Sequence, residues 1–97
     1  MPTYVTLINW TDQGVKNFKD TVDRYEAAQE AMGKGGVSFR DIYWTIGAYD
    51  IVCLFEASDD ESLAAALLKL GSGGNVRTTT MRAYSQSEFD GIVSRAG

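Results

Sequence analysis

Polar side chains able to do chemistry recur on otherwise apolar, strand-like runs of this chain. Asp41 and Tyr43 alternate along one run, and Thr78, Thr80, Arg82 and Tyr84 along another. Between two apolar runs, Gly47-Ala48-Tyr49-Asp50 forms a Gly-x-Tyr-Asp turn with an aromatic ring and a carboxylate at its tip. If the two strand sets share a sheet face, an Asp, an Arg and two Tyr converge on a small polar or anionic molecule. The alternative reading is an ion pair between subunits with tyrosines capping a core. Asp50 is a general base if burial raises its pKa, or a turn cap with Tyr49 packed beside it at a dimer rim. The candidate ligand-binding residues are therefore Asp41, Tyr43, Tyr49, Asp50, Thr80, Arg82 and Tyr84.

The residues that are missing narrow the chemistry. The sequence has no histidine, which removes Ser-His-Asp and Cys-His machinery and any His-based metal site within one chain. No metal and no cofactor are expected, and catalysis would rest on Asp, Glu, Tyr, Lys, Arg or a cofactor's own chemistry. Cys53 is the single cysteine, set among Val52, Leu54 and Phe55, and reads as a buried, inert thiol rather than a nucleophile. Trp10 and Trp44 are either core or interface anchors or platforms for ligand stacking. The Gly-rich segments Gly33 to Gly36 and Gly71 to Gly74 run from helix to strand. A phosphate-binding loop runs the other way, so these are helix stops.

Ninety-seven residues support one domain, taken as 1–97, and a 44% hydrophobic content marks a folded chain. The net charge of −4, with no basic stripe, argues against direct nucleic-acid binding. No long apolar run and no basic, apolar leader is present, so a cytoplasmic location without membrane contact is expected. Asn9-Trp10-Thr11 matches a glycosylation sequon that carries little weight in that setting.

These candidates must be held by regular elements. Tyr4 to Asn9 reads as a strand. Thr11 then caps an amphipathic helix running to about Met32, with Val15, Phe18, Val22 and Tyr25 at helical spacing. Strands Val37 to Ile46 and Tyr49 to Ala57 flank the turn. Ser58-Asp59-Asp60-Glu61 reads as a capping box for a helix whose buried stripe is Leu63, Leu67 and Leu70. Val76 to Tyr84 is a last strand, and Ser85-Gln86-Ser87-Glu88 opens a short helix bearing Phe89, Ile92 and Val93. The order β-α-β-β-α-β-α, with right-handed crossovers, folds as an α+β ferredoxin-like plait with an added C-terminal helix.

Strand alternation puts Ile51, Cys53 and Phe55 on one face and Val52 and Leu54 on the other. On the preceding strand it sets Val37, Phe39 and Tyr43 against Ile42, Trp44 and Ile46. Both sheet faces are thus apolar, while two crossover helices cover only one. The uncovered face is expected to pair with a second copy, as a homodimer or higher homo-oligomer, unless the C-terminal helix folds back over it. Phe55→Asp is expected to break that dimer or unfold the chain.

These motifs together resemble the GYD-domain family. The carriers are Gly47-Ala48-Tyr49-Asp50, the helix after Ser58-Asp59-Asp60-Glu61, Asn75-Val76-Arg77-Thr78-Thr79-Thr80 and the opening Tyr4 to Thr11. The resemblance covers essentially the whole chain. It implies a small prokaryotic protein of the dimeric α+β-barrel superfamily, whose relatives include cofactor-free monooxygenases, lactone isomerases, haem-degrading enzymes and pure binding modules. A weaker resemblance is to the ligand-sensing domain of leucine-responsive regulatory proteins, without their helix-turn-helix. The expected role is a small oligomeric binding or interaction protein for a metabolite or partner protein. The alternative is a cofactor-independent oxygenase or isomerase, for which Asn9 and Trp10 are the leftover cavity candidates.

Overall fold

Alternating β-branched and aromatic residues make the first strand, β1 (Thr3–Trp10), and Thr11 ends it by capping the helix beyond. The Thr11 side chain accepts the Gly14 N–H at 3.1 Å, which starts α1 (Asp12–Lys16). The computed structural model describes residues 1–97. The long first helix read from the sequence is broken: α1 stops at Asn17, a 3₁₀ turn spans Phe18–Asp20, and α2 runs Thr21–Lys34. The break rotates the helix, so Val15, Phe18 and Val22 stay half exposed. Tyr25, Ala28 and Met32 turn toward the sheet in their place.

Three further strands and two helices complete the chain: β2 (Val37–Trp44), β3 (Ile51–Ala57), α3 (Asp60–Ser72), β4 (Val76–Ala83) and α4 (Gln86–Ala96). The sheet order is β2-β3-β1-β4 with every pairing antiparallel, which is the ferredoxin-like plait. The helix after β3 is capped by Asp59, which accepts the Ser62 N–H at 2.7 Å, one residue later than the expected Ser58. The Ser85–Glu88 capping box of α4 forms in both directions, at 3.1 and 2.9 Å.

Register separates the two faces. Residues paired across antiparallel strands point the same way. Tyr4, Thr6 and Ile8 lie beside Phe55, Cys53 and Ile51, and all are buried beneath α2 and α3. Phe55 is 0% exposed and packs its ring 4.4 Å from that of Phe39. On the other face, Val5 and Leu7 lie beside Leu54 and Val52 and remain only half-buried.

A β-bulge between Phe39 and Asp41 corrects the expected alternation on β2. The extra residue, Arg40, shifts the phase. Val37, Phe39, Ile42 and Trp44 all pair with residues of the helix-covered face, while Asp41 and Tyr43 pair with Leu54 and Val52 on the open face. Ile46 lies beyond the strand, in solvent.

The C-terminal helix does not lid the open face. No residue of α4 is buried, and Phe89 and Val93 are about half exposed. Its one aromatic contact is Phe89 against Tyr84, with ring centroids 6.4 Å apart. The molecule accordingly measures 50 × 31 × 18 Å, with a radius of gyration of 14.6 Å. A compact chain of this length has roughly 12.5 Å.

Candidate functional site

The Gly-x-Tyr-Asp segment is a six-residue connection between β2 and β3, longer than a tight two-residue turn. Gly47 adopts φ +126°, a conformation that suits glycine alone. Thr45 N donates to Asp50 O at 2.8 Å, and Thr45 Oγ1 donates to Tyr49 O at 2.6 Å. Asp50 does not bond its own loop with its carboxylate. Its Oδ2 accepts the Trp10 N–H at 2.9 Å, and its own N–H donates to Ile8 O at 2.9 Å. The aspartate thus fastens the loop to the end of β1. Tyr49 sits half-buried in the same loop.

The two strand sets fall on opposite sides of the sheet. Asp41 and Tyr43 stand exposed on the open face, on the edge strand. Thr78, Thr80 and Arg82 pair with Ile8, Thr6 and Tyr4, which puts them on the helix-covered side. Thr80 and the buried Thr6 join hydroxyls at 2.8 Å. The Arg82 guanidinium lies between rings, 5.6 Å from the centre of Tyr4 and 4.5 Å from that of Tyr84. It donates to Thr3 O at 3.1 Å and to Ala83 O, and faces Glu88 of α4 at 3.9 Å. Asp41 and Arg82 therefore do not converge within one chain. Arg82 is engaged in fastening the ends of β1 and β4 to the start of α4.

Near Arg82, Tyr4 donates its hydroxyl to Asp60 at the start of α3. That hydrogen bond, with burial second, raises the tyrosine pKa above its usual value. Cys53 is buried and its thiol is pushed up to about 12 by desolvation, so it stays protonated and unreactive at neutral pH.

A large concavity lies away from Asp41, Tyr43, Tyr49, Asp50, Thr80, Arg82 and Tyr84, though Trp10 and Cys53 line it. An open groove of about 820 Å³ separates α2 from α3 above the covered face. Tyr25, Phe39, Ile42 and Trp10 line it together with alanines of both helices. Trp44 stands at its outer edge, its ring edge-on to Tyr25 and its Nε1 donating to Thr21 Oγ1 at 3.0 Å. Sequence reasoning missed this groove. Its one local signal is small residues, Ala27, Ala28, Ala31, Ala65 and Ala66, where side chains of two packed helices would have to meet.

Gly14 was also missed. A Cβ there would lie 2.0 Å from Asn75 O, because the start of α1 is pressed onto the turn before β4. Thr11 N donates to that same oxygen at 3.0 Å, and Thr11 Oγ1 donates to Gly74 O at 2.5 Å. No helix is long and apolar enough to cross a membrane.

Comparison with known proteins accords with this architecture. The family model described as the GYD domain matches residues 4–93. Over 90 residues the chain is 37% identical to a Thermus thermophilus protein named glutamine synthetase and cystathionine beta-lyase binding protein. That match covers 92% of this chain and 95% of the relative. A crystal structure of a Thermus thermophilus protein superposes with a TM-score of 0.54 at 27% identity, over 88% of this chain and 95% of that one. A feast or famine regulatory protein from Mycobacterium tuberculosis, solved with L-methionine, superposes with a TM-score of 0.65 at 20% identity. There the match covers 89% of this chain and 54% of the other, and it shows a shared fold.

Proposed function

This chain belongs to the GYD domain family, and on that premise we propose that it is a homo-oligomeric binding protein whose clients are metabolic enzymes. The observation that carries the reading is the sheet face that no helix covers. Its centre is Val5, Leu7, Val52 and Leu54, and its edges are Tyr43, 62% exposed, and Met81, 47% exposed. Only 12 of 97 residues are buried in the single chain, and none of Val5, Leu7, Val52 and Leu54 is among them.

Two copies stacked sheet on sheet, about 10 Å apart, would close that core. Burying about 1,000 Å² of apolar surface this way is a gross gain on the order of 25 kcal/mol, before association and ordering costs are subtracted. In such a dimer Asp41 and Tyr43 lie at the seam, with Arg77 on the opposite edge strand as a complementary charge.

The class of client comes from the relative named for binding glutamine synthetase and cystathionine beta-lyase. The dispersal of Asp41, Asp50 and Arg82 to separate places supports binding over an oxygenase or isomerase reading. The test uses the purified chain with the glutamine synthetase and cystathionine β-lyase of its own source organism. Sedimentation velocity should show a dimer or larger ring, and biolayer interferometry should show a complex with at least one enzyme at micromolar concentration. A monomer that captures neither enzyme overturns the proposal.

A further inference from the structure

The groove between α2 and α3 has a polarity the rest of the molecule lacks. The chain carries 13 acidic residues against 9 basic ones, yet no carboxylate lines the groove, while Arg24, Lys34 and Lys69 do. The walls and floor are otherwise mostly apolar, from the alanines of both helices to Phe39, Ile42 and Ile51, with Thr21, Ser62 and Asn75 as neutral polar exceptions.

The charges are not scattered. The helices α2 and α3 follow β1 and β3, which are antiparallel, so the first turn of α2 lies beside the last turn of α3. Arg24 and Lys69 occupy those turns and share one end of the groove. The Arg24 guanidinium is held by backbone carbonyls, Asn17 O at 2.6 Å and Gly14 O at 3.3 Å, and meets no carboxylate. Lys69 forms no ion pair, whereas Lys34, at the other end, lies 3.9 Å from Glu30. Trp10 closes β1 at the Arg24–Lys69 end, and its indole Nε1–H is buried with no acceptor. An unsatisfied buried donor is uncommon and costs free energy until an acceptor reaches it.

We propose that this groove binds an amphiphilic carboxylate, a molecule with one apolar chain or ring and one anionic head. The apolar body lies over Phe39, Ile42 and the alanine walls. The head sits at the Arg24–Lys69 end, where it meets two cations beside Trp10. The groove volume of about 820 Å³ suits a ligand of that kind, since small-molecule sites span roughly 300–1,000 Å³. This site is on the sheet face opposite the proposed dimer interface, so the two readings stand or fall separately.

Dodecanoate, kept below its micelle concentration, is the probe, followed by calorimetry and by Trp fluorescence. Dodecanol and dodecyltrimethylammonium are the neutral and cationic controls. Dodecanoate should bind with micromolar affinity and both controls much more weakly. Lys69→Glu, on the exposed side of α3, should weaken binding about fivefold or more without changing the melting temperature. Ala65→Phe, which fills the groove from α3, should abolish it. Absence of dodecanoate binding, equal binding of dodecanol, or unchanged binding in both folded variants overturns the proposal. A parent chain that sediments as a monomer yet binds dodecanoate leaves this site standing and sinks only the oligomer reading.

Discussion

The Asp50 carboxylate accepts the backbone N–H of Trp10 at 2.9 Å, joining the Gly-x-Tyr-Asp loop to a strand end forty residues earlier in the chain. With Asp50 N bonded to Ile8 O, the aspartate continues the β1–β3 ladder one residue before the start of β3. A half-buried carboxylate bonded to a backbone donor is a fastening, and its loss leaves that donor without a partner. Asp50→Ala should destabilise the fold by about 1–2 kcal/mol, a fall in Tm of about 5–10 °C. Asp50→Asn, which keeps an acceptor oxygen, should lose less than half of that. Thermal melts by circular dichroism decide it, and equal losses for the two variants would contradict the fastening role.

Gly14 is fixed by a neighbour's backbone. Because a Cβ would come within 2.0 Å of Asn75 O, Gly14→Ala forces α1 away from the turn before β4 and strains the Thr11 bonds to Gly74 and Asn75. Helix propensity alone would make that substitution stabilising by about 1 kcal/mol. The expected outcome is the opposite, a loss of about 2–3 kcal/mol by urea denaturation, in the range of other overpacking substitutions. A stabilised variant would show that the contact relaxes freely.

The features legible in the sequence were those that one segment decides for itself. Strand β3 alternates Ile51, Cys53, Phe55 and Ala57 against Val52, Leu54 and Glu56, and its burial follows that alternation at every position. The bulge at Arg40 is different. Phe39-Arg40-Asp41 contains no glycine or proline to announce an extra residue, and pairing with β3 alone determines it. One unannounced residue moved Tyr43 to the face opposite Phe39. Whether Asp41 and Arg82 could meet was likewise a matter of register through β3 and β1, a non-local quantity. The break at Asn17 had a local signal, since Gly14 and Asn17 are both poor helix formers within one turn, but the apolar spacing of Val15, Phe18 and Val22 outweighed it. The groove depends on the separation of two helices, which no single segment encodes.

The buried thiol gives the molecule a limit at alkaline pH. Cys53 ionises near 9 in a solvated chain and near 12 in the fold. Below pH 9 both states hold the proton, and the full stability is present. Between pH 9 and 12 the unfolded chain loses its proton while the folded chain keeps it, so stability falls as pH rises, by about 1.4 kcal/mol per pH unit. Cys53→Val should remove this slope, leaving that of Tyr4, whose pKa its hydrogen bond to Asp60 also raises. Urea midpoints at pH 8, 9.5 and 10.5 for both proteins measure the difference. In the native protein at pH 8, a thiol reagent such as 5,5′-dithiobis(2-nitrobenzoate) should react with Cys53 only after unfolding.

The sheet interface is tested at Leu54, since Phe55 points the wrong way. Phe55 is enclosed beneath the helices, so an aspartate there unfolds the chain and says nothing about association. Leu54 stands on the open face, next to Asp41 on β2 and Val5 on β1. In an isolated chain Leu54→Asp leaves the carboxylate in water, so folding survives with a far-UV spectrum like that of the parent. In a stacked dimer the same carboxylate would be desolvated, unpaired and beside Asp41, a cost of about 3 kcal/mol or more. The dimer constant should therefore weaken at least about a hundredfold, and sedimentation velocity at micromolar concentration should return the 10.6 kDa monomer. A folded Leu54→Asp protein that remains a dimer places the contact elsewhere. The exposed Phe89 and Val93 of α4 and the Val15, Phe18 and Val22 ridge would then be the surfaces to substitute next.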